Sequence, residues 1–153
     1  MSGITITVDF VIGFLAGILA CAVFALIQNQ LHKRTLKNKF GKLDGTYKGY
    51  VFKQDDEWEL EDEPISKAGI KYERDNILSI TLTHHEELTW QGLITMEIEK
   101  YGAVCWQYTN LPESQLRFGF KRCIVSPEGD KVYLVGEKSE GYQKEVLIRD
   151  KTK

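Results

Sequence analysis

The 153-residue chain has no HExxH, no C-x-x-C pair and no glycine-rich phosphate loop. Zinc-protease chemistry, a thiolate zinc site and a P-loop therefore have no motif to rest on. Its formal net charge is only −2, so the electrostatic footprint of a nucleic-acid binder is missing, and DNA and RNA are not expected partners. Cysteine is scarce: Cys21, Cys105 and Cys123 have no metal-ligand spacing, and a reducing compartment predicts free thiols. Beyond residue 40 no amphipathic helix is legible. The densest group of catalytic residue types is His84-His85-Glu86-Glu87. Adjacent histidines in a strand point to opposite faces, so this reads as a strand end entering a charged turn. Neither Cys105 nor Cys123 lies in a nucleophile signature. No catalytic residue, metal site or cofactor is assigned, and a non-enzyme is expected.

One long hydrophobic run is present. Residues 10–27 read FVIGFLAGILACAVFALI, eighteen residues without a charge. As a helix rising about 1.5 Å per residue, such a run crosses a hydrocarbon core of about 30 Å. The following QNQLHKRTLKNKFGK holds five Lys/Arg and no acid, whereas the preceding flank carries only Asp9. Basic flanks stay cytoplasmic, which predicts a single-pass membrane protein with its N-terminus out. A cleaved signal peptide would need a basic segment before the run, and MSGITITVD has none. A lipoprotein signal at Cys21 is opposed by the apolar residues that continue past it. Gly13, Gly17, Cys21 and Ala25 recur every four residues, a small-residue face that lets two membrane helices approach closely and self-associate. The expected organisation is an anchor over residues 1–31, a basic juxtamembrane linker over 32–42 and a cytoplasmic β-barrel over 43–153. The lipid bilayer and further copies of the chain are the expected partners. The acidic stretch over 55–63 (DDEWELEDE) reads as a solvated loop.

After residue 40 the hydrophobic period becomes two. The alternating sets are Leu43, Gly45, Tyr47, Gly49 and Val51; Leu78, Ile80 and Leu82; Ile94, Met96 and Ile98; Val104, Trp106 and Tyr108; Leu116, Phe118 and Phe120; and Val146 and Ile148. Each predicts a strand with that set on its covered face. Turn signals separate the runs at Lys100-Tyr101-Gly102, Asn110-Leu111-Pro112, residues 126–130 (SPEGD) and Ser139-Glu140-Gly141. The predicted fold class is mainly β: one N-terminal transmembrane helix, then a small antiparallel barrel of roughly eight strands. Closure removes sheet edges, and successive hairpins give up-and-down order.

The barrel region is rich in aromatics, and small barrels often hold one ligand at a mouth. Tyr47, Trp90, Trp106 and Tyr108 are the ring candidates. Arg74, Arg117 and Lys121, with Arg122 nearby, are the cations. Rings stack on flat ligands and guanidinium groups pair with phosphate.

An N-terminal anchor, a basic linker and a barrel opening with LDGTYKG (residues 43–49) together resemble the membrane-anchored β-barrel effectors of bacterial CBASS-type anti-phage systems. More loosely, the barrel is similar to lipocalins, which open with a related Gly-x-aromatic strand. The resemblance to the effectors implies a barrel that binds a cyclic-nucleotide signal. It also implies location in the bacterial inner membrane, with membrane segments that cluster on binding and disrupt it. Those effectors usually have two spans, and this chain has one. Three functions follow: a ligand-gated membrane effector, a constitutive membrane-tethered scaffold or regulator of a protein partner, and a carrier of an apolar ligand. Mixed Arg/Tyr pocket residues favour the first, a filled interior the second and a large apolar cavity the third.

Overall fold

The structure is a computed structural model that describes residues 2–53, 59–84, 88–98, 100–110, 117–138 and 141–151, with no side chains at 2–9, 137–138 or 141–143. Several residues read above lie outside the described ones: 55–58 of the acidic stretch, His85, Glu86, Glu87, Leu111, Pro112, Leu116, Ser139 and Glu140. The chain divides into two compact units, Met1–Thr35 and Leu36–Lys153.

The first unit is helical. Helix α1 (Ser2–Phe40) begins in it, and one stretch of this helix is long and apolar enough to cross a membrane. Its large apolar residues from Phe10 to Leu31 are exposed. A helix that is apolar all round and makes no packed core is suited to a lipid environment.

The second unit is a closed barrel of eight strands: β1 (Gly45–Val51), β2 (Ser66–Arg74), β3 (Ile77–His84), β4 (Thr89–Ile98), β5 (Tyr101–Tyr108), β6 (Phe118–Val125), β7 (Lys131–Lys138) and β8 (Gly141–Arg149). Each pairs antiparallel with the next, and β8 returns to β1 through Tyr47↔Arg149 to Val51↔Glu145. This is the up-and-down order that hairpin punctuation predicts. The 126–130 turn forms as expected: Gly129 takes φ 73°, and Ser126 Oγ donates to Asp130 Oδ1 at 2.8 Å. At the β4–β5 hairpin the turn is shorter than read. Tyr101 and Gly102 already belong to β5, where they pair with Ile98 and Met96.

The unit takes in residues from Leu36 onward, so part of the basic 32–42 segment is helical and packs with the barrel. Phe40 is 3 % exposed and Leu43, in a 3₁₀ turn (Gly41–Leu43), is 2 % exposed. Both join a core cluster with Tyr47, Ile70, Leu78 and Val132, and Leu36 packs against it. An open barrel end would leave these side chains wet, and the helix terminus supplies the apolar cover.

Most covered faces are those the alternation predicts. Leu78, Ile80, Leu82, Ile94, Met96 and Val104 are buried. Three strands depart. A register shift between Met96 and Ile98 turns Ile98 outward. In β6 the phase is reversed: Phe118 and Phe120 are 76 % and 71 % exposed, while Gly119, Lys121 and Cys123 carry the covered phase. In β8 the inward residues are Glu145 and Leu147, both fully buried. Val146 takes the outer phase, in register between Tyr50 and Tyr133, and is buried there. Burial pushes the Cys123 thiol up to about 12, so it stays protonated.

Candidate functional site

The reversed phases of β6 and β8 meet inside the barrel. Lys121 Nζ donates to Glu145 Oε2 at 3.2 Å, and Ser66 Oγ donates to Glu145 Oε1 at 2.8 Å. Glu145 is inaccessible and the Lys121 side chain is 10 % exposed. A carboxylate with no access to water must be paired and hydrogen-bonded, and here one oxygen has a cation and the other a hydroxyl. Gly49 makes room for this group, since a Cβ there would lie 2.0 Å from Ser66 Oγ and 3.0 Å from Glu145 Oε1.

Aromatic rings surround the ammonium. Lys121 Nζ is 5.2 Å from the Trp90 ring centroid and 5.9 Å from that of Trp106. Both distances allow cation–π attraction. The two indoles lie 5.8 Å apart at 45°, and Tyr108 meets Trp106 edge-on at 5.3 Å. Backbone register sets this group: Trp90 faces Tyr108, and Gly92, Trp106 and Gly119 form one row across three strands. The Trp106 ring lies against Gly119, where a Cβ would come within 2.8 Å of it. Its indole N–H is buried and, among the described residues, has no hydrogen-bond partner. Such a group is an open donor.

Beside this cluster, the wall parts. Pairing of β6 with β7 runs from Lys121↔Gly136 to Val125↔Val132, so Phe118, Gly119 and Phe120 lie beyond it. A cleft of about 800 Å³ opens there, lined by Trp106, Arg117, Gly119, Lys121, Arg122 and Gly136, with Phe118 and Phe120 at its rim. Three cations reach this region, and Glu145 neutralises one of them. The cleft thus combines positive charge, ring faces and one unused donor, which suits a flat anionic molecule.

Five of the seven sequence candidates come together here: Trp90, Trp106, Tyr108, Arg117 and Lys121. The other two lie at the opposite end. Arg74 is exposed at the β2–β3 hairpin, where it pairs with Ile77. Tyr47 is 1 % exposed in the core cluster. Its hydroxyl donates to the Leu43 carbonyl at 2.7 Å and accepts from Arg149 Nη2 at 2.9 Å. Arg149 also donates to the Lys42 carbonyl. This set fastens the helix terminus to the barrel, which is a structural task. Glu145 and Ser66 escaped the sequence reading. Their signal is faint: an acid within the apolar run EVLI, whose partner is 24 residues away.

Burial raises the Tyr47 phenol above its ordinary value, against the lowering effect of Arg149. The folded state therefore holds the proton more tightly than the unfolded chain. Stability from this group is full below the ordinary value of 10.0 and is lost as pH rises through the folded pKa. Alkaline melts above about pH 10 should fall more steeply for the native chain than for Tyr47→Phe. Parallel curves would assign the alkaline loss elsewhere.

Comparison with known proteins bears on the fold alone. No family model and no curated protein matches the chain. A redesigned β-barrel superposes with a TM-score of 0.54 at 13 % identity, covering 72 % of this chain and 94 % of that one. A redesigned β-barrel bound to DFHBI gives 0.48 at 12 % identity, covering 72 % and 96 %. The chain is thus a β-barrel behind one N-terminal helix that is long and apolar enough to span a membrane.

Proposed function

We propose that this chain is a membrane-tethered binding protein that captures a flat, anionic, cyclic-nucleotide-like ligand in the β5–β6–β7 cleft. On this reading it is an effector rather than an enzyme. Ligand capture is relayed to α1, whose Gly13, Gly17, Cys21 and Ala25 face drives clustering and membrane disruption, as in the anti-phage effectors it resembles. On the same reading the barrel is cytoplasmic and the N-terminus lies outside the inner membrane, which the basic flank supports. The carrying observation is the convergence of Trp106, Arg117, Lys121 and Arg122 on one cleft, with the indole N–H of Trp106 unused.

The filled interior favours a second reading, a scaffold for a protein partner. Leu78, Ile80, Leu82, Ile94, Met96, Leu134 and Leu147 occupy the space that an apolar-ligand carrier would need empty.

Thermal melting of the full chain in detergent micelles, against linear and cyclic nucleotides and fatty acids, tests the proposal. A ligand at a hundred times its dissociation constant adds ~2.7 kcal/mol and should raise the midpoint by several degrees. A cyclic nucleotide is the expected hit. Arg117→Ala should weaken its binding about tenfold or more, because a charged hydrogen bond is lost, and leave the unliganded midpoint unchanged. Replacing Gly13 and Gly17 with Ile should abolish membrane damage and leave affinity intact. A shift only with fatty acids would support the carrier, and no shift with any ligand the scaffold.

A further inference from the structure

The outer wall of β4–β6 is unusually apolar. Register places Leu93, Cys105 and Phe120 in one cross-strand row and Ile98, Tyr101 and Ile124 in another. Phe118 extends the patch, and Leu93, Ile98, Tyr101, Phe118, Phe120 and Ile124 are all exposed. A groove of about 640 Å³ runs along this wall, past Thr81, Gln91, Leu93, Cys105 and Phe118. These six exposed side chains present roughly 700 Å², close to the ~800 Å² that each partner contributes to a standard stable interface. Between the two rows lies a third of Thr95, Ala103 and Arg122, and monomeric soluble domains rarely expose so much apolar surface on one wall without a use.

We propose that this face docks against the same face of a second copy of the chain. The barrel is closed, and Phe118–Phe120 of β6, beyond its pairing with β7, leave only a short edge among the described residues, so association uses a face rather than added strands. The remaining argument rests on α1 being a membrane anchor, as read above. Copies anchored in one bilayer share one orientation and one plane. Their barrels then meet at high effective concentration, and a modest apolar patch suffices. Two copies so arranged are related by a two-fold axis, and a two-fold interface is self-complementary. Arg122, within the face, would supply a polar point among the rings, as is usual at such contacts.

The test uses the full chain carrying Cys21→Ala in liposomes. Cys105 is then the exposed thiol, since Cys123 is buried. Bis-maleimide should capture a covalent dimer that persists as lipid is added in excess. Phe118→Glu with Phe120→Glu should reduce dimer capture about tenfold or more while leaving the melting midpoint unchanged, because both rings are exposed. Rapid labelling of Cys105 by a soluble maleimide, without dimer, would overturn the proposal and leave the face for another protein. Shielding of Cys105 without dimer would overturn it in favour of the bilayer surface. Vesicle flotation reads the anchor separately. If the chain does not float, the anchor reading fails, and the same capture in dodecyl maltoside micelles still decides the face.

Discussion

Replacing Lys121 with methionine is expected to lower the unfolding free energy of the barrel by about 3–5 kcal/mol, the usual cost of removing one partner from a buried ion pair. Glu145 is wholly inaccessible, and Lys121 is its cation. Without the ammonium, the carboxylate keeps only the Ser66 hydroxyl among the described residues and loses its charge compensation. Methionine retains the length of the stem, so packing against Trp90 and Trp106 changes little. The cost is therefore electrostatic. The double variant Lys121→Met with Glu145→Leu should recover most of the loss, because no charge is left stranded. Guanidinium unfolding of the full chain in micelles, followed by the fluorescence of Trp90 and Trp106, measures all three variants. Additive losses in the cycle would show that the two side chains do not act as a pair.

Gly49→Ala should be nearly as severe, at about 2–5 kcal/mol, from overpacking together with a polar group left unsatisfied. The new methyl group would fall 2.0 Å from Ser66 Oγ and 3.0 Å from Glu145 Oε1. Ser66 is 1 % exposed, so its hydroxyl can yield only by giving up Glu145. Gly69→Ala is the matched control. It changes the same residue type on the neighbouring strand β2, and its Cβ meets nothing within 4 Å. It should be neutral, or stabilising by a few tenths of a kcal/mol through the unfolded chain. Equal losses at the two positions would place the cost in the backbone rather than in the Ser66–Glu145 contact.

Both effects arise beside the candidate cleft, so the same residues carry fold and chemistry there. Lys121 holds Glu145 in place and also brings positive charge to Trp90 and Trp106. Arg117 and Arg122 are exposed and free of that structural duty, which makes Arg117 the cleaner probe of ligand binding.

Residues 10–27 by themselves determined a helix suited to lipid, because no side chain there competes for the backbone and none prefers water. Alternation in β3, β4 and β5, with the punctuation between strands, likewise determined an up-and-down barrel. Choosing aromatics and cations by type named Trp106, Arg117 and Lys121, which line one cleft, and Trp90 and Tyr108, which pack beside it, although Tyr47 and Arg74 satisfy the same chemical description at the far end. What only the tertiary structure decided is the phase of β6 and β8. Both strands carry apolar residues on both faces, and a one-residue slip exchanges the faces. Taken alone, either strand could send Phe118, Phe120 and Val146 inward, because each phase carries a charge, Arg122 against Lys121 in β6 and Lys144 against Glu145 in β8. Lys121 and Glu145 can enter the core only together, each removing the other's desolvation penalty. That condition links two strands distant in sequence, and closure of the barrel is what brings them into contact.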